Sequence, residues 1–159
     1  MKKNFEIRRI NTDEWGDAMA LSWRVFLEFE SEIYSKEGTA NFYDFIHDDS
    51  LHTAFLNGGY PVFGAYDSNV IKGMGALRRG PHLSLLFVDS RYQHMGIATA
   101  LLQYMQNFLL TEDTELGKDV LTVNSSPYAV GFYHRFGFED TDAVQKADGI
   151  IYTPMKFYL

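Results

Sequence analysis

The residues best placed to do chemistry form one run, Leu86-Phe87-Val88-Asp89-Ser90-Arg91-Tyr92-Gln93-His94-Met95-Gly96-Ile97-Ala98-Thr99-Ala100-Leu101-Leu102. Its apolar opening reads as a strand and its polar middle as a turn. Ile97–Leu110 then reads as an amphipathic helix, with Ile97, Leu101, Met105 and Phe108 on one face. The first turn of a helix offers N–H groups without intrahelical partners, at the positive end of the helix dipole; that makes it a ready anion site. Gly96 and Ala98 leave this surface bare, so a pyrophosphate can come close to the backbone. The same residue types also suit a plain tight turn with a packed helix start. Neither G-x-G-x-x-G nor G-x-x-x-x-G-K-[ST] is present.

A second group follows in Leu121-Thr122-Val123-Asn124 and Ala129-Val130-Gly131-Phe132-Tyr133-His134-Arg135-Phe136-Gly137-Phe138. Tyr133 carries a phenol able to give up a proton, but by itself it reads first as a core ring with a bonded hydroxyl. Acids able to accept a proton cluster at Glu28, Glu30 and Glu32. Glu28 and Glu32 share a helical face if the helix reaches that far, and Glu28 is the representative choice. His82, at a strand start, is a further candidate. His47-Asp48-Asp49 with His52 does not make a metal site, because histidines five apart match no familiar ligand spacing. Arg78-Arg79 reads as decoration at a hairpin end.

These residues need elements to position them. Phe5–Ile10 alternates as a half-exposed strand, and Thr12-Asp13-Glu14 reads as a capped helix start. Trp15 to Phe29 buries Trp15, Ala18, Met19, Val25, Phe26 and Phe29 on one face. Ser31–Thr39 is less regular, with further helices expected at Asn41–Ile46 and Ser50–Leu56. Strands are expected at Pro61–Tyr66, Val70–Arg78 and His82–Val88. The short turns Asp67-Ser68-Asn69 and Gly80-Pro81 make these an antiparallel meander. A strand at Val120–Asn124 is followed by a helix over Ser126–Phe136, with Pro127 just inside its start. Strands near Phe138–Thr141 and Ile150–Tyr158 close the chain. Trp23, Tyr34, Phe42, Tyr43 and Phe45 join Trp15, Phe26 and Phe29 as mostly core, with a few free to line a pocket.

Composition bounds the rest. The 159 residues are 46% hydrophobic and 22% charged, the proportions of one soluble globular domain spanning 1–159. Aromatic residues reach 16%, enough to fill a large core or pad a cleft. The absence of cysteine excludes disulfides, thiolate metal sites and a cysteine nucleophile. A formal charge of −7 argues against nucleic acid as a partner. Met1-Lys2-Lys3-Asn4-Phe5-Glu6 lacks the apolar run of a signal peptide, and no stretch is apolar enough for a membrane span, so a cytoplasmic protein is expected.

Gln93-His94-Met95-Gly96-Ile97-Ala98 resembles the acetyl-CoA signature [QR]-x-x-G-x-[GA] of the GNAT superfamily of N-acetyltransferases, with Val88 where the family ends its fourth strand. Ser90 stands where the family often has proline. Phe132-Tyr133-His134-Arg135-Phe136-Gly137-Phe138 resembles the family's FYxxxGF ending, in the right order and at about the right distance. Ser126 occupies a position where the family often has asparagine, with Asn124 two residues earlier. The element order from Phe5 to Tyr158 also agrees with the GNAT fold. The resemblance implies a mixed α/β (α+β) architecture, a central, mostly antiparallel twisted sheet flanked by helices.

The function it implies is transfer of an acetyl group from acetyl-CoA to a primary amine of a small molecule, peptide or protein, by direct attack on the thioester. Phe87 and Val88 would bond the pantetheine arm, and the N–H groups of Gln93, His94, Met95, Gly96, Ala98 and Thr99 would hold the pyrophosphate. Arg91 and His94 are candidates for the outer phosphates. Asn124, Ser126, Phe132 and Tyr133 complete the expected cofactor site, with no metal. Tyr133 would protonate the leaving thiolate, since a thiol near ~8.5 and a phenol near ~10 are well matched. Glu28 stands as the expected base. Homodimers are common among such proteins and are an expectation here. The competing readings are a non-catalytic acyl-CoA-binding or regulatory GNAT-like module and, more distantly, another α/β nucleotide-binding protein.

Overall fold

The computed structural model describes residues 4–159; Lys2 and Lys3, part of the N-terminal reading, lie outside the described residues. Strand β1 (Glu6–Arg9) leads into a short 3-10 turn and helix α1 (Trp15–Phe29). The helical section begins at Thr12, and its cap is Asn11, one residue before the expected one. Glu14 Oε1 accepts the Asn11 N–H at 2.6 Å while the Glu14 N–H donates to the Asn11 carbonyl at 3.0 Å. The reciprocal bonding of cap and third residue satisfies two groups that would otherwise face water. Helices α2 (Lys36–Ile46) and α3 (Asp49–Leu56) follow.

Helix α2 starts five residues earlier than its sequence suggests. The Ser35 hydroxyl accepts the Gly38 N–H at 3.1 Å and caps the helix. Gly38 lowers intrinsic helicity, yet its bare Cα lets the turn at Gly149 abut the helix: the Ser35 N–H donates to the Gly149 carbonyl at 3.2 Å. A tertiary contact overrides a local propensity.

The meander is as expected, with β2 (Val62–Asp67), β3 (Val70–Arg78) and β4 (His82–Val88). Helix α4 (Ile97–Thr111), β5 (Val120–Ser125) and α5 (Val130–Phe136) come next. Strands β6 (Glu139–Asp140), β7 (Gln145–Ala147) and β8 (Ile150–Tyr158) close the fold. The eight-stranded sheet runs β1-β2-β3-β4-β5-β8-β6, with β7 on β8. Every pairing is antiparallel except β4 with β5. Strand β7 is absent from the sequence reading because three partly polar residues carry too little period-2 signal.

Apolar residues cover both faces of the sheet. On one face α1 and its neighbours bury Met19, Leu21, Val25 and Ile46 against Val62, Met74, Ala76 and Leu85. On the other, α4 buries Ile97, Leu101, Leu102, Met105 and Leu109 against Phe63, Leu77 and Leu83. Gly73 and Gly75 make that second contact close. A Cβ on Gly73 would lie 2.7 Å from Ile97 Cγ2, and one on Gly75 would lie 2.5 Å from Met105 Cε. The helix therefore rests almost directly on strand β3, and its N-terminus is fixed beside the end of β4.

Candidate functional site

The parallel pair β4/β5 is a fork. Only His82↔Thr122 and Leu83↔Val123 are in register. At the closed end the Thr122 N–H donates to the Pro81 carbonyl at 3.0 Å, and His82 Nδ1 lies 2.7 Å from Thr122 Oγ1. Beyond that point β4 keeps pairing with β3 as far as Val88, and β5 with β8 as far as Ser125. The β4 edge that faces β5 is left without a strand partner among the described residues. An extended, amide-bearing chain can add to such an edge.

The open fork leads into a cavity of about 480 Å³. Helix α1 supplies Val25 and Phe29 to its wall, with Glu30 just beyond, and β4 supplies Leu86, Phe87 and Val88. The turn and the start of α4 supply Tyr92, Gln93, His94, Gly96, Ile97, Ala98 and Thr99. The segment after β5 and α5 supply Tyr128, Ala129, Gly131, Phe132, Tyr133 and Arg135.

Gly96 is the N-cap of α4, with φ 83° and ψ 8°. That left-handed conformation favours glycine. A Cβ here would meet nothing within 4 Å, so it would project into the open cradle itself. No side chain caps the helix, and its first backbone bond runs from the Ala100 N–H to the Gly96 carbonyl at 3.0 Å. The Ile97, Ala98 and Thr99 N–H groups are left for an anion. A diphosphate and an extended pantetheine arm thus fit what the chain provides, a bare N-terminal turn and an unpaired strand edge.

Neighbouring charges keep the turn in place. Asp89 is buried and accepts from Arg24 at 3.0 Å, from the Arg91 side chain at 3.3 Å and from the Arg91 N–H at 3.0 Å. These bonds hold its carboxyl below the usual carboxylate range despite burial. Arg91 is thereby engaged with Asp89 and does not line the cavity; Arg135 does. Gln93 Nε2 donates to the Val88 carbonyl at 3.2 Å, and its Oε1 accepts the Tyr128 hydroxyl at 3.2 Å. The Tyr128 ring lies 5.0 Å from that of Phe29. One tyrosine therefore bridges α1, the segment before α5 and the turn before α4.

Two titratable groups, Glu30 and Tyr133, share the cavity wall. Glu30 is pushed from the ordinary 4.5 to about 6, because burial disfavours its charged form. The Ser126 hydroxyl works against that rise, and Ser126 Oγ has no partner at full hydrogen-bonding geometry. Tyr133 is 5% exposed, and burial, helped by the Glu30 charge, raises its phenol well above 10. Tyr34 is raised for the same two reasons. Glu30, Ser126, Tyr34 and Tyr133 form one poorly solvated cluster.

Of the residues singled out in sequence, Phe87, Val88, Gln93, His94, Gly96, Ala98, Thr99, Phe132 and Tyr133 come together on the cavity. Met95, Asn124 and Ser126 are not in its lining: Met95 and Asn124 point to solvent, and Ser126 is buried behind Glu30. Glu28 is exposed, and its charge acts on Arg91. The sequence holds a signal that favours Glu30: it continues the inward row Ser22, Phe26 at four-residue steps, whereas Glu28 follows exposed Arg24. His82 sits at the closed end of the fork, where burial and Arg78 lower it to about 4. The expected helix start at Ser126 is a turn instead, closed by the Ala129 N–H on the Ser126 carbonyl at 3.1 Å, and α5 begins at Val130. The two histidines whose spacing ruled out a metal site do separate work. His47 Nδ1 lies 2.7 Å from the Tyr43 carbonyl, and His52 stacks on Trp15 at 5.0 Å.

Residues 30–159 match the acetyltransferase (GNAT) domain family. An uncharacterized N-acetyltransferase of Methanocaldococcus jannaschii is 25% identical over 150 residues, which cover 90% of this chain and 64% of that protein. The chain thus spans just under two thirds of the curated relative's length. A GCN5-related N-acetyltransferase from Rhodopseudomonas palustris superposes with a TM-score of 0.81 at 18% identity, covering 100% of this chain and 98% of that one. The PaiA N-acetyltransferase of Thermoplasma acidophilum, solved with coenzyme A, superposes with a TM-score of 0.77 at 16% identity, covering 99% and 100%. With the forked strands, the bare glycine turn and a family match over most of its length, the chain belongs to the GNAT acetyltransferases.

Proposed function

We propose that the protein transfers an acetyl group from acetyl-CoA to a primary amine by direct attack of that amine on the thioester. The observation that carries this reading is the placement of Glu30 and Tyr133 in the wall of the same cavity that opens on the uncapped start of α4. When bound, acetyl-CoA supplies an activated acyl group and a thiolate leaving group. The chain's own residues do the remaining work. The Ile97–Thr99 N–H groups hold the diphosphate, and the free edge of β4 aligns the arm. A β4 backbone N–H aimed at the thioester oxygen offers a gain of about 10²–10³ in rate.

Glu30 replaces Glu28 as the base. A carboxylate near 6 is ionised at neutral pH and still basic enough to draw a proton from an ammonium, directly or through one water. Tyr133 holds its proton at neutral pH as any phenol does. Burial and the Glu30 charge raise it and weaken it as an acid. The second of these is relieved once Glu30 has taken the proton of the amine, when Tyr133 can give its own to the departing thiolate. The test is CoA release from acetyl-CoA offered with polyamines, aminoglycosides, amino acids, alkylamines and N-terminal peptides. Release with at least one acceptor is expected. Tight acetyl-CoA binding without release on any of them would sink the reading in favour of a non-catalytic binding module.

A further inference from the structure

The walls of the cavity narrow the acceptor, an argument that rests on the acetyl-transfer reading above. Glu30 is the single carboxylate among the described lining residues. On the α1 side, apart from the residues given to the donor, Val25 and Phe29 present carbon to this space; Tyr128 and Gln93 add only neutral polar groups, and the two basic groups there, His94 and Arg135, suit phosphate. Acids just outside offer no second partner. Asp89 is held by Arg24 and Arg91, and Glu28 acts on Arg91. Glu32 stands in solvent, where pairing with an ammonium gains little over hydration. The rings behind the wall are a packed layer: Phe87 lies 5.8 Å from Phe42, which stacks on Phe26 at 4.3 Å.

From this we infer that the acceptor is a primary monoamine on an apolar, alkyl or arylalkyl body, and not a polycation such as a polyamine or aminoglycoside. The one ammonium pairs with Glu30 and yields its proton there, while the body buries against the rings. A second ammonium in the same walls would lose its water without gaining a counter-charge, a cost that excludes it.

The experiment compares kcat/KM at saturating acetyl-CoA for 2-phenylethylamine, hexylamine, spermidine and kanamycin. The better of the two monoamines should exceed both polycations by at least about tenfold. Equal or reversed ratios overturn the monoamine assignment and leave acetyl transfer standing. No release with any of the four also overturns it, and acetyl transfer is then decided by the wider panel above. Phe29→Glu supplies the missing second acid. It should raise spermidine relative to 2-phenylethylamine by about tenfold, and an unchanged ratio in the folded variant would count against the inference.

Discussion

Glu30 separates activity from stability. As the proposed base it must be ionised, so kcat/KM should be present above about pH 6 and fall away as the pH drops through that value, which a pH–rate profile of the wild type would show. Its contribution to stability runs the other way. The folded carboxyl titrates at about 6 against an ordinary 4.5, so the fold is favoured below 4.5, and that advantage disappears as pH rises through 6. At pH 8 the buried charge then costs about 2 kcal/mol. Glu30→Gln should therefore raise the Tm at pH 8 while lowering kcat/KM about 10²-fold or more, removing the acid limb. Loss of both Tm and activity would instead point to a structural role. Tyr133→Phe should lower kcat about tenfold or more with acetyl-CoA affinity unchanged by calorimetry; an unaltered kcat would take Tyr133 out of the acid role.

At the scale of elements, the decisive one is the turn from β4 into α4. Gly96→Val would force a β-branched residue to φ 83° and push its side chain into the phosphate cradle. Acetyl-CoA affinity should fall about tenfold or more, the strain alone being about 1–3 kcal/mol. Calorimetric titration reads this directly, and normal affinity would dismiss the cradle. This turn was legible in sequence because glycine, small residues and amphipathic period coincide within Gln93–Leu102. The start of α5 was not. Ser126-Pro127 carries the local signature of a helix cap, but the Ser126 hydroxyl is drawn into the cluster around Glu30, and the helix waits until Val130. Arg135 escaped notice for a similar reason. Nothing in the FYxxxGF pattern says which of its polar residues will face the cavity.

For the whole molecule, the sheet is a fork whose closed end is held by His82, Leu83, Thr122 and Val123 and whose open end is lined by α1 and α5. The seat of α4 on Gly73 and Gly75 ties the turn before it to the core. Leu101→Ala, at a fully buried position in that seat, should cost about 2–5 kcal/mol in denaturant unfolding. A loss below about 1 kcal/mol would show that α4 is not held by its packing. Among the described residues no helix is long and apolar enough to cross a membrane.

By itself the sequence determined the meander, the helix after Gly96, the element order apart from β7 and the two donor-side motifs. Each depends on neighbours within a few residues, where hydrophobic period, glycine and turn chemistry act. Tertiary structure alone decided that Arg91 serves Asp89, that Glu30 and not Glu28 reaches the cavity, and that Ser126 backs an acid. It also decided that β4 and β5 part after two residues. These depend on which groups from distant segments share one desolvated space, and desolvation is what raises Glu30, the single carboxylate among the described lining residues, to about 6.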